Sequence, residues 1–315
     1  MYHPPASSGL YDTRYEHDSC GIGAVVNIDG RRERAVIEYG REVLLNLQHR
    51  GAAGADESTG DGAGMLIQIP HDLFAAEAER LSFDLPAEES YGVGMVFLPT
   101  DDAPREKCRQ ILAEALGHCG LNVLAWRVVP TDSGCLGELA RAAEPVIEQV
   151  FVAGNGEAGE DLERKLFMAR KAAERQARER LGEREADFYV ASMSCRTIVY
   201  KGMFLAPQLF AYYPDLADGR MISAMAIVHQ RYSTNTFPNW RLAQPMRLIA
   251  HNGEINTLRG NRNRMQAREM TMSCKLLGDD MADLLGVLTE GASDSAQFDN
   301  CLELLVRAGR SMPHA

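Results

Sequence analysis

Apolar and polar residues follow one another along the chain in blocks that predict both strands and helices. Apolar runs predict strands at 21–28, 65–69, 91–98, 121–129, 188–193, 196–202, 222–229 and 246–251. Apolar positions at helical spacing predict helices at 35–48, 71–80, 105–117, 159–182, 256–270, 276–289 and 294–309. The helices cluster beside pairs of strands and do not alternate with them one by one. This order predicts an α+β fold with antiparallel sheet.

Composition excludes several classes of protein. The 315 residues are 45% hydrophobic and 24% charged, which is typical of a globular protein. A net charge of −11 argues against nucleic acid or an anionic membrane as a partner. No apolar run approaches the roughly 18–20 residues of a membrane span, and the N-terminus does not resemble a secretory signal. Seven cysteines without a CxxC pair argue against a zinc ribbon or a disulfide framework and favour the cytoplasm.

Cys20 stands at the start of the first apolar strand, directly before Gly21. Residues 1–19 show no periodicity and are rich in Pro, Ser, Tyr and charge. If they were removed, the thiol of Cys20 would lie beside a free α-amine with a pKa of about 8, which can serve as a general base. The thiolate is the attacking form of cysteine. The alternative is a small buried cysteine without chemistry, and this segment alone does not decide between the two.

Four further segments are dense in polar residues and glycine. They are Gln48-His49-Arg50-Gly51, His229-Gln230-Arg231-Tyr232-Ser233-Thr234-Asn235-Thr236, His251-Asn252-Gly253-Glu254-Ile255-Asn256 and Gly291-Ala292-Ser293-Asp294-Ser295. Each has a purely structural interpretation: a helix end, a surface arginine after a strand, a tight turn and a helix N-cap.

The same segments also have a chemical interpretation. The side chain of Asn252 and the N–H of Gly253 form a candidate oxyanion hole with two donors. Arg231 offers a forked donor that suits a carboxylate. Asp294 is a candidate partner for the ammonium group of a substrate.

The order of these segments resembles that of the class II glutamine amidotransferases, whose nucleophile is the N-terminal residue. Residues 16–21 (EHDSCG) resemble the processing junction of the glutamate synthase family, and residues 59–64, 229–236 and 250–257 resemble further segments of its glutaminase domain. The resemblance runs from about residue 10 to the end. It implies a propeptide at 1–19 and a glutaminase domain at 20–315 that is incomplete at its C-terminus. It also implies an Ntn-hydrolase-like four-layer sandwich of two antiparallel sheets flanked by helices.

The resemblance implies a role for each of six residues. They are Cys20 as the nucleophile, Arg50 as support for the region of the catalytic cysteine, Asn252 and Gly253 as the oxyanion hole, Arg231 as the ligand of the glutamine α-carboxylate and Asp294 as the ligand of its α-amine. The implied reaction is hydrolysis of glutamine to glutamate and ammonia. The ammonia would supply glutamate synthesis from 2-oxoglutarate.

The resemblance implies neither a metal nor a cofactor in this segment. It implies FMN, an iron–sulfur cluster, the remaining synthase domains and a small reductase subunit only outside it, and a lone Gly-x-Gly at 62–64 is too weak for a nucleotide site. Two alternatives stay open: another class II amidotransferase, for instance one that serves nucleotide or amino-sugar synthesis, and an inactive, truncated interaction module. The insert at 100–185 and the segment 229–240 favour the glutamate synthase family.

Overall fold

The computed structural model of the chain describes residues 20–182, 187–231, 236–278, 281 and 284–315. The predicted propeptide at 1–19 lies outside these ranges, and so do residues 232–235 of the predicted carboxylate-binding segment.

The strands, in chain order, are β1 (Ile22–Val26), β2 (Ala63–Gln68), β3 (Tyr91–Leu98), β4 (Asn122–Val128), β5 (Val146–Ala153), β6 (Tyr189–Ser194), β7 (Thr197–Gly202) and β8 (Met225–Gln230). The α-helices are α1 (Arg34–Asn46), α2 (His71–Leu81), α3 (Asp102–His118), α4 (Glu138–Ala142), α5 (Gly159–Leu181), α6 (Gln208–Tyr212), α7 (Leu258–Glu269) and α8 (Asp294–Arg307). No helix in the described ranges is both long and apolar enough to cross a membrane.

The described strands form two sheets of four strands each. The first sheet has the order β1-β8-β2-β7 and the second the order β4-β5-β3-β6, and all neighbouring strands are antiparallel. The prediction of an α+β fold with two antiparallel sheets flanked by helices is confirmed.

The second sheet is buried on both faces. Met95 of β3 belongs to a core cluster that joins both sheets with α1 and α2, and the next residue, Val96, belongs to a cluster with α3 and α5. Successive side chains of a strand point to opposite faces, so the continuous apolar run of β3 reflects two-sided burial.

The strand β5 is not predicted by the sequence pattern, because two polar residues interrupt its apolar run. Glu148 and Gln149 are both buried. Glu148 accepts hydrogen bonds from Arg109 of α3, and Gln149 accepts one from Arg127 of β4 at 2.9 Å. These partners are distant in sequence, so the local pattern could not show that the two polar residues would be satisfied inside the protein.

Two predicted elements are wrong. The segment 246–251 is irregular, because the N–H groups of Arg247, Leu248 and Ile249 donate to the side chain of Asp299 and not to a neighbouring strand. The predicted helix at 276–289 is not formed in the described part of that range, where residues 276–277 lie in a turn and residues 285–289 are irregular. Gly278 there has a φ of +63°, which is incompatible with a right-handed helix.

Candidate active site

A cavity of about 490 Å³ lies beyond the end of β8. Its wall includes five of the six residues that the sequence singled out: Arg50, Arg231, Asn252, Gly253 and Asp294. These residues come from four segments that are far apart along the chain. The fold therefore assembles the polar segments of the sequence around one space.

The sixth residue, Cys20, is exposed and lies two residues before the start of β1. The carbonyl of Gly21 accepts the N–H of Gln230 at 2.8 Å, one residue beyond the last ladder pair between β1 and β8. This register sets Cys20 opposite Arg231. Gly21 also lies against Asn252, because a Cβ placed on it would be 3.4 Å from Asn252 Oδ1. The backbone next to Cys20 therefore lies against Asn252, whereas Cys20 itself is not among the residues that line the cavity.

Arg231 is a buried cation, with 6% of its surface exposed. Its Nη2 donates to Thr236 Oγ1 at 2.7 Å, whereas Nη1 has no hydrogen-bond partner among the described residues. Burial lowers the pKa of Arg231, and the nearby carboxylates of Asp61 and Asp294 oppose that effect. The guanidinium stays charged. An anionic ligand in the cavity would satisfy the buried donor.

Asn252 and Gly253 present two donors to the same cavity. Within the described part of the chain, neither the side-chain NH₂ of Asn252 nor the N–H of Gly253 has a hydrogen-bond partner. Both residues are exposed, and two such donors next to a nucleophile are the arrangement that stabilises a developing oxyanion.

The peptide before this donor pair is fixed by residues that the sequence interpretation left without a role. Gln244 forms two hydrogen bonds with the backbone of His251, one to its N–H at 2.8 Å and one to its carbonyl at 2.9 Å. His229 Nε2 donates to that carbonyl at 3.2 Å, and His251 Nδ1 lies 2.9 Å from Ser295 Oγ. No periodicity or spacing in the sequence points to Gln244.

His229 is buried in a neutral form. Burial lowers its pKa from 6.5 to about 4. Its Nε2 donates to the carbonyl of His251, and Nδ1 has no partner in the described ranges.

Asp294 begins α8, and Ser293 caps that helix by accepting the N–H of Ala296 at 3.2 Å. The carboxylate of Asp294 accepts the N–H of Ser295 at 2.6 Å and the N–H of Ile255 at 2.8 Å. Asp294 therefore faces the cavity and also fixes the chain that follows Asn252-Gly253. Sequence reasoning identified the residue and its cap but missed this second contact.

Comparison with known proteins identifies the family. The sequence model of the class-II glutamine amidotransferases matches residues 20–315. The chain belongs to this family. The match begins at Cys20, the residue that the sequence predicts as the nucleophile.

The relatives of this amidotransferase are much longer proteins. The glutamate synthase [NADPH] large chain of Bacillus subtilis is 43% identical over 313 residues, which cover 98% of this chain and 20% of that protein. The corresponding large chain of Azospirillum brasilense is 45% identical over 310 residues, with 98% and 20% covered. Ferredoxin-dependent glutamate synthase 2 of Synechocystis is 42% identical over 298 residues, with 94% and 19% covered. The chain spans about a fifth of the length of these relatives.

The amidotransferase has neither a metal-ligand cluster nor a disulfide among its described residues. Within the described ranges, no group of three or more His, Cys, Asp or Glu side chains has the arrangement of a metal site. The seven cysteines all lie in the described ranges, and none of them forms a disulfide bond.

Proposed function

We propose that this chain is the glutamine-hydrolysing part of a glutamate synthase, with Cys20 as its nucleophile after removal of residues 1–19. One observation carries the proposal: a single cavity is lined by Asn252, Gly253 and the buried Arg231, whose Nη1 has no hydrogen-bond partner among the described residues. The relatives with 42–45% identity are all named as glutamate synthases, which supports the narrower assignment.

Glutamine matches the charges of this cavity. Its α-carboxylate would accept from Nη1 of Arg231, where a charge-assisted hydrogen bond would satisfy a buried donor. Its α-ammonium would face Asp294. Its side-chain carbonyl would then lie at Asn252 and Gly253, beside Cys20.

The reaction is an acyl transfer through a thioester. The α-amine of Cys20 takes the thiol proton, and the thiolate attacks the side-chain amide carbon of glutamine. Asn252 and Gly253 stabilise the oxyanion of the tetrahedral intermediate. The carbon–nitrogen bond then breaks, and the α-ammonium of Cys20 returns its proton to the departing ammonia. Water hydrolyses the thioester to glutamate and restores the thiol.

Arg50 would support the region around Cys20 from its place on the cavity wall. The FMN, the iron–sulfur cluster, the remaining synthase domains and the reductase subunit would belong to other parts of the assembly. No step in this chain involves them.

The test compares Cys20→Ser with Cys135→Ser in the full chain. Mass spectrometry gives the N-terminal residue, an ammonia assay gives glutamine hydrolysis, and a diazoketone analogue of glutamine reports covalent labelling. We expect wild type that begins at Cys20 to hydrolyse glutamine. C20S should lose activity by at least about 10³-fold and should not be labelled.

Cys135 is a matched control, because its thiol donates to the backbone carbonyls of Asp132, at 3.3 Å, and Gln208, at 3.9 Å, and does not line the cavity. A serine can replace that donor, so C135S should retain activity. Hydrolysis by a chain that keeps residues 1–19, or by C20S, would contradict the proposed mechanism. A chain that begins at Cys20 but neither hydrolyses glutamine nor becomes labelled would support the inactive alternative.

A further inference from the structure

The carboxylate of Asp299 holds the backbone of the segment that leads into the proposed oxyanion hole. Asp299 lies in α8 and is 1% exposed. Its Oδ1 accepts the N–H of Leu248 at 2.8 Å and that of Ile249 at 3.2 Å, and its Oδ2 accepts the N–H of Arg247 at 3.4 Å. Three consecutive backbone donors thus end on one side chain, three residues before Asn252.

The first turn of α8 holds the other side of the same loop. Asp294 accepts the N–H of Ile255 at 2.8 Å, and the hydroxyl of Ser295 lies 2.9 Å from the ring of His251. One helix therefore fixes the loop 251–255 from both flanks. Because a helix is stiff, the two attachments have a fixed separation.

We propose that Asp299 is a positioning residue for glutamine hydrolysis: its three hydrogen bonds to residues 247–249 set the placement of Asn252 and Gly253 relative to Cys20. The inference rests on the proposed function of the cavity. Asp299 itself does not line that cavity, so it would act through the segment that it holds, by the three N–H groups and by the guanidinium of Arg247, whose Nη1 lies 3.8 Å from its Oδ2.

The attachment of α8 to α5 does not depend on Asp299. Glu303, which is 3% exposed, pairs with Arg170 of α5 at 2.5 Å, and Arg307 pairs with Glu163 of the same helix. Asp299, Glu303 and Arg307 are spaced by four residues and share one face of α8. The first of the three holds the loop, and the other two hold α5.

This division of roles offers a matched pair of variants, Asp299→Asn and Glu303→Gln. Each replaces a buried carboxylate of α8 by an amide of the same size. In D299N one oxygen becomes an NH₂ donor, so the side chain can no longer accept all three N–H groups. In E303Q the contacts to residues 247–249 stay in place, while an ion pair with α5 is lost.

The experiment uses the full chain in wild-type, D299N and E303Q forms. Steady-state kinetics gives kcat and KM for glutamine. Labelling of Cys20 is followed with the diazoketone analogue of glutamine, whose ketone oxygen occupies the oxyanion hole, and with iodoacetamide, which alkylates a thiol without forming an oxyanion. Hydrogen exchange reports the amides of residues 247–249.

We expect D299N to lower kcat by about 10–100-fold, because misplacement of reacting groups by about 1 Å costs that much, with KM within about threefold. Diazoketone labelling should slow in parallel, iodoacetamide labelling should be unchanged, and the amides of residues 247–249 should exchange faster. E303Q should lower thermal stability but keep kcat and the ratio of the two labelling rates.

A D299N chain with wild-type kcat would overturn the inference. So would an equal loss of kcat in E303Q, which would indicate a general structural effect. If wild type neither hydrolyses glutamine nor becomes labelled, the proposed function fails and the inference fails with it. An active wild type beside an unaffected D299N would overturn this inference alone.

Discussion

Gln244 holds the backbone of His251 by two hydrogen bonds that run in opposite directions. Its Oε1 accepts the N–H of His251 at 2.8 Å, and its Nε2 donates to the carbonyl of His251 at 2.9 Å. Asn252 follows directly. The peptide before the proposed oxyanion donors is therefore fixed by a side chain seven residues earlier in the chain.

Gln244→Glu should destabilise the protein by about 1–3 kcal/mol, the cost of leaving a buried polar group without its partner. The glutamate keeps an acceptor for the N–H of His251. Its second oxygen, however, faces the carbonyl of His251, which can only accept a hydrogen bond. Urea unfolding at pH 7 measures the change. Gln110→Glu, on the exposed face of α3, is the control and should change stability by no more than about 0.5 kcal/mol. If Q244E were as stable as wild type, the two hydrogen bonds between Gln244 and the backbone of His251 would not stabilise the protein as expected.

Arg231→Ala should change specificity as well as rate. The lost charge-assisted hydrogen bond, worth about 1.5–3 kcal/mol, should lower kcat/KM for glutamine by about 10–150-fold. Wild type should discriminate against γ-aminobutyramide, which is glutamine without its α-carboxylate, and R231A should lose that discrimination. The preference over glutaramate, which lacks only the α-amine, should stay the same.

The control for Arg231 is Arg220→Ala, which removes an arginine that pairs with Asp218 at the surface, at 2.7 Å. R220A should keep both preferences. If R231A still rejected γ-aminobutyramide as strongly as wild type does, another residue would bind the carboxylate.

His229 should make the protein less stable in mild acid. Its pKa is lowered by burial from 6.5 to about 4, so the unfolded chain binds the proton more tightly than the folded one. The contribution of the neutral ring to the free energy of unfolding is fully present above pH 6.5. It is lost as the pH falls toward 4. Between pH 7 and pH 5 the loss should be about 2 kcal/mol.

His229→Gln should remove this contribution, because glutamine can still donate to the carbonyl of His251 but does not titrate. Urea unfolding at pH 7 and pH 5 gives the loss of stability for each protein. The loss should be about 2 kcal/mol smaller in H229Q than in wild type. The control is His118→Gln, which replaces a histidine at an exposed position. The same loss in wild type and H229Q would rule out His229 as the source.

Asp215→Asn should be among the more destabilising single substitutions. Arg127 donates to both oxygens of Asp215, at 2.7 and 2.8 Å, and both residues are buried. Removal of one partner from a buried ion pair costs about 3–5 kcal/mol, and we expect the lower end of this range because Arg127 keeps a second carboxylate, Glu77, at 2.5 Å. Urea unfolding measures the cost. In the control, Asp102→Asn, the lost partner is 93% exposed and pairs with Arg105, so the cost should be at most about 1 kcal/mol.

The sequence by itself determined the α+β class. It also predicted seven of the eight described strands and singled out the candidate site residues. These properties are local: apolar periodicity reports which face of an element is buried, and glycine with polar residues at element ends marks loops that bind. For this reason Arg231, Asn252, Gly253 and Asp294 could be singled out before any contact was known, and the family resemblance added Arg50; all five line one cavity.

Tertiary structure decided the contacts between distant parts of the chain. Glu148 and Gln149 interrupt an apolar pattern, and only their partners on neighbouring elements make β5 a central strand. Residues 246–251 look like a strand, but their N–H groups donate to Asp299, about fifty residues away. The register of β1 against β8 sets Cys20 opposite Arg231. A hydrogen bond depends on distance in space, which local sequence does not encode, so these features emerged only from the folded chain.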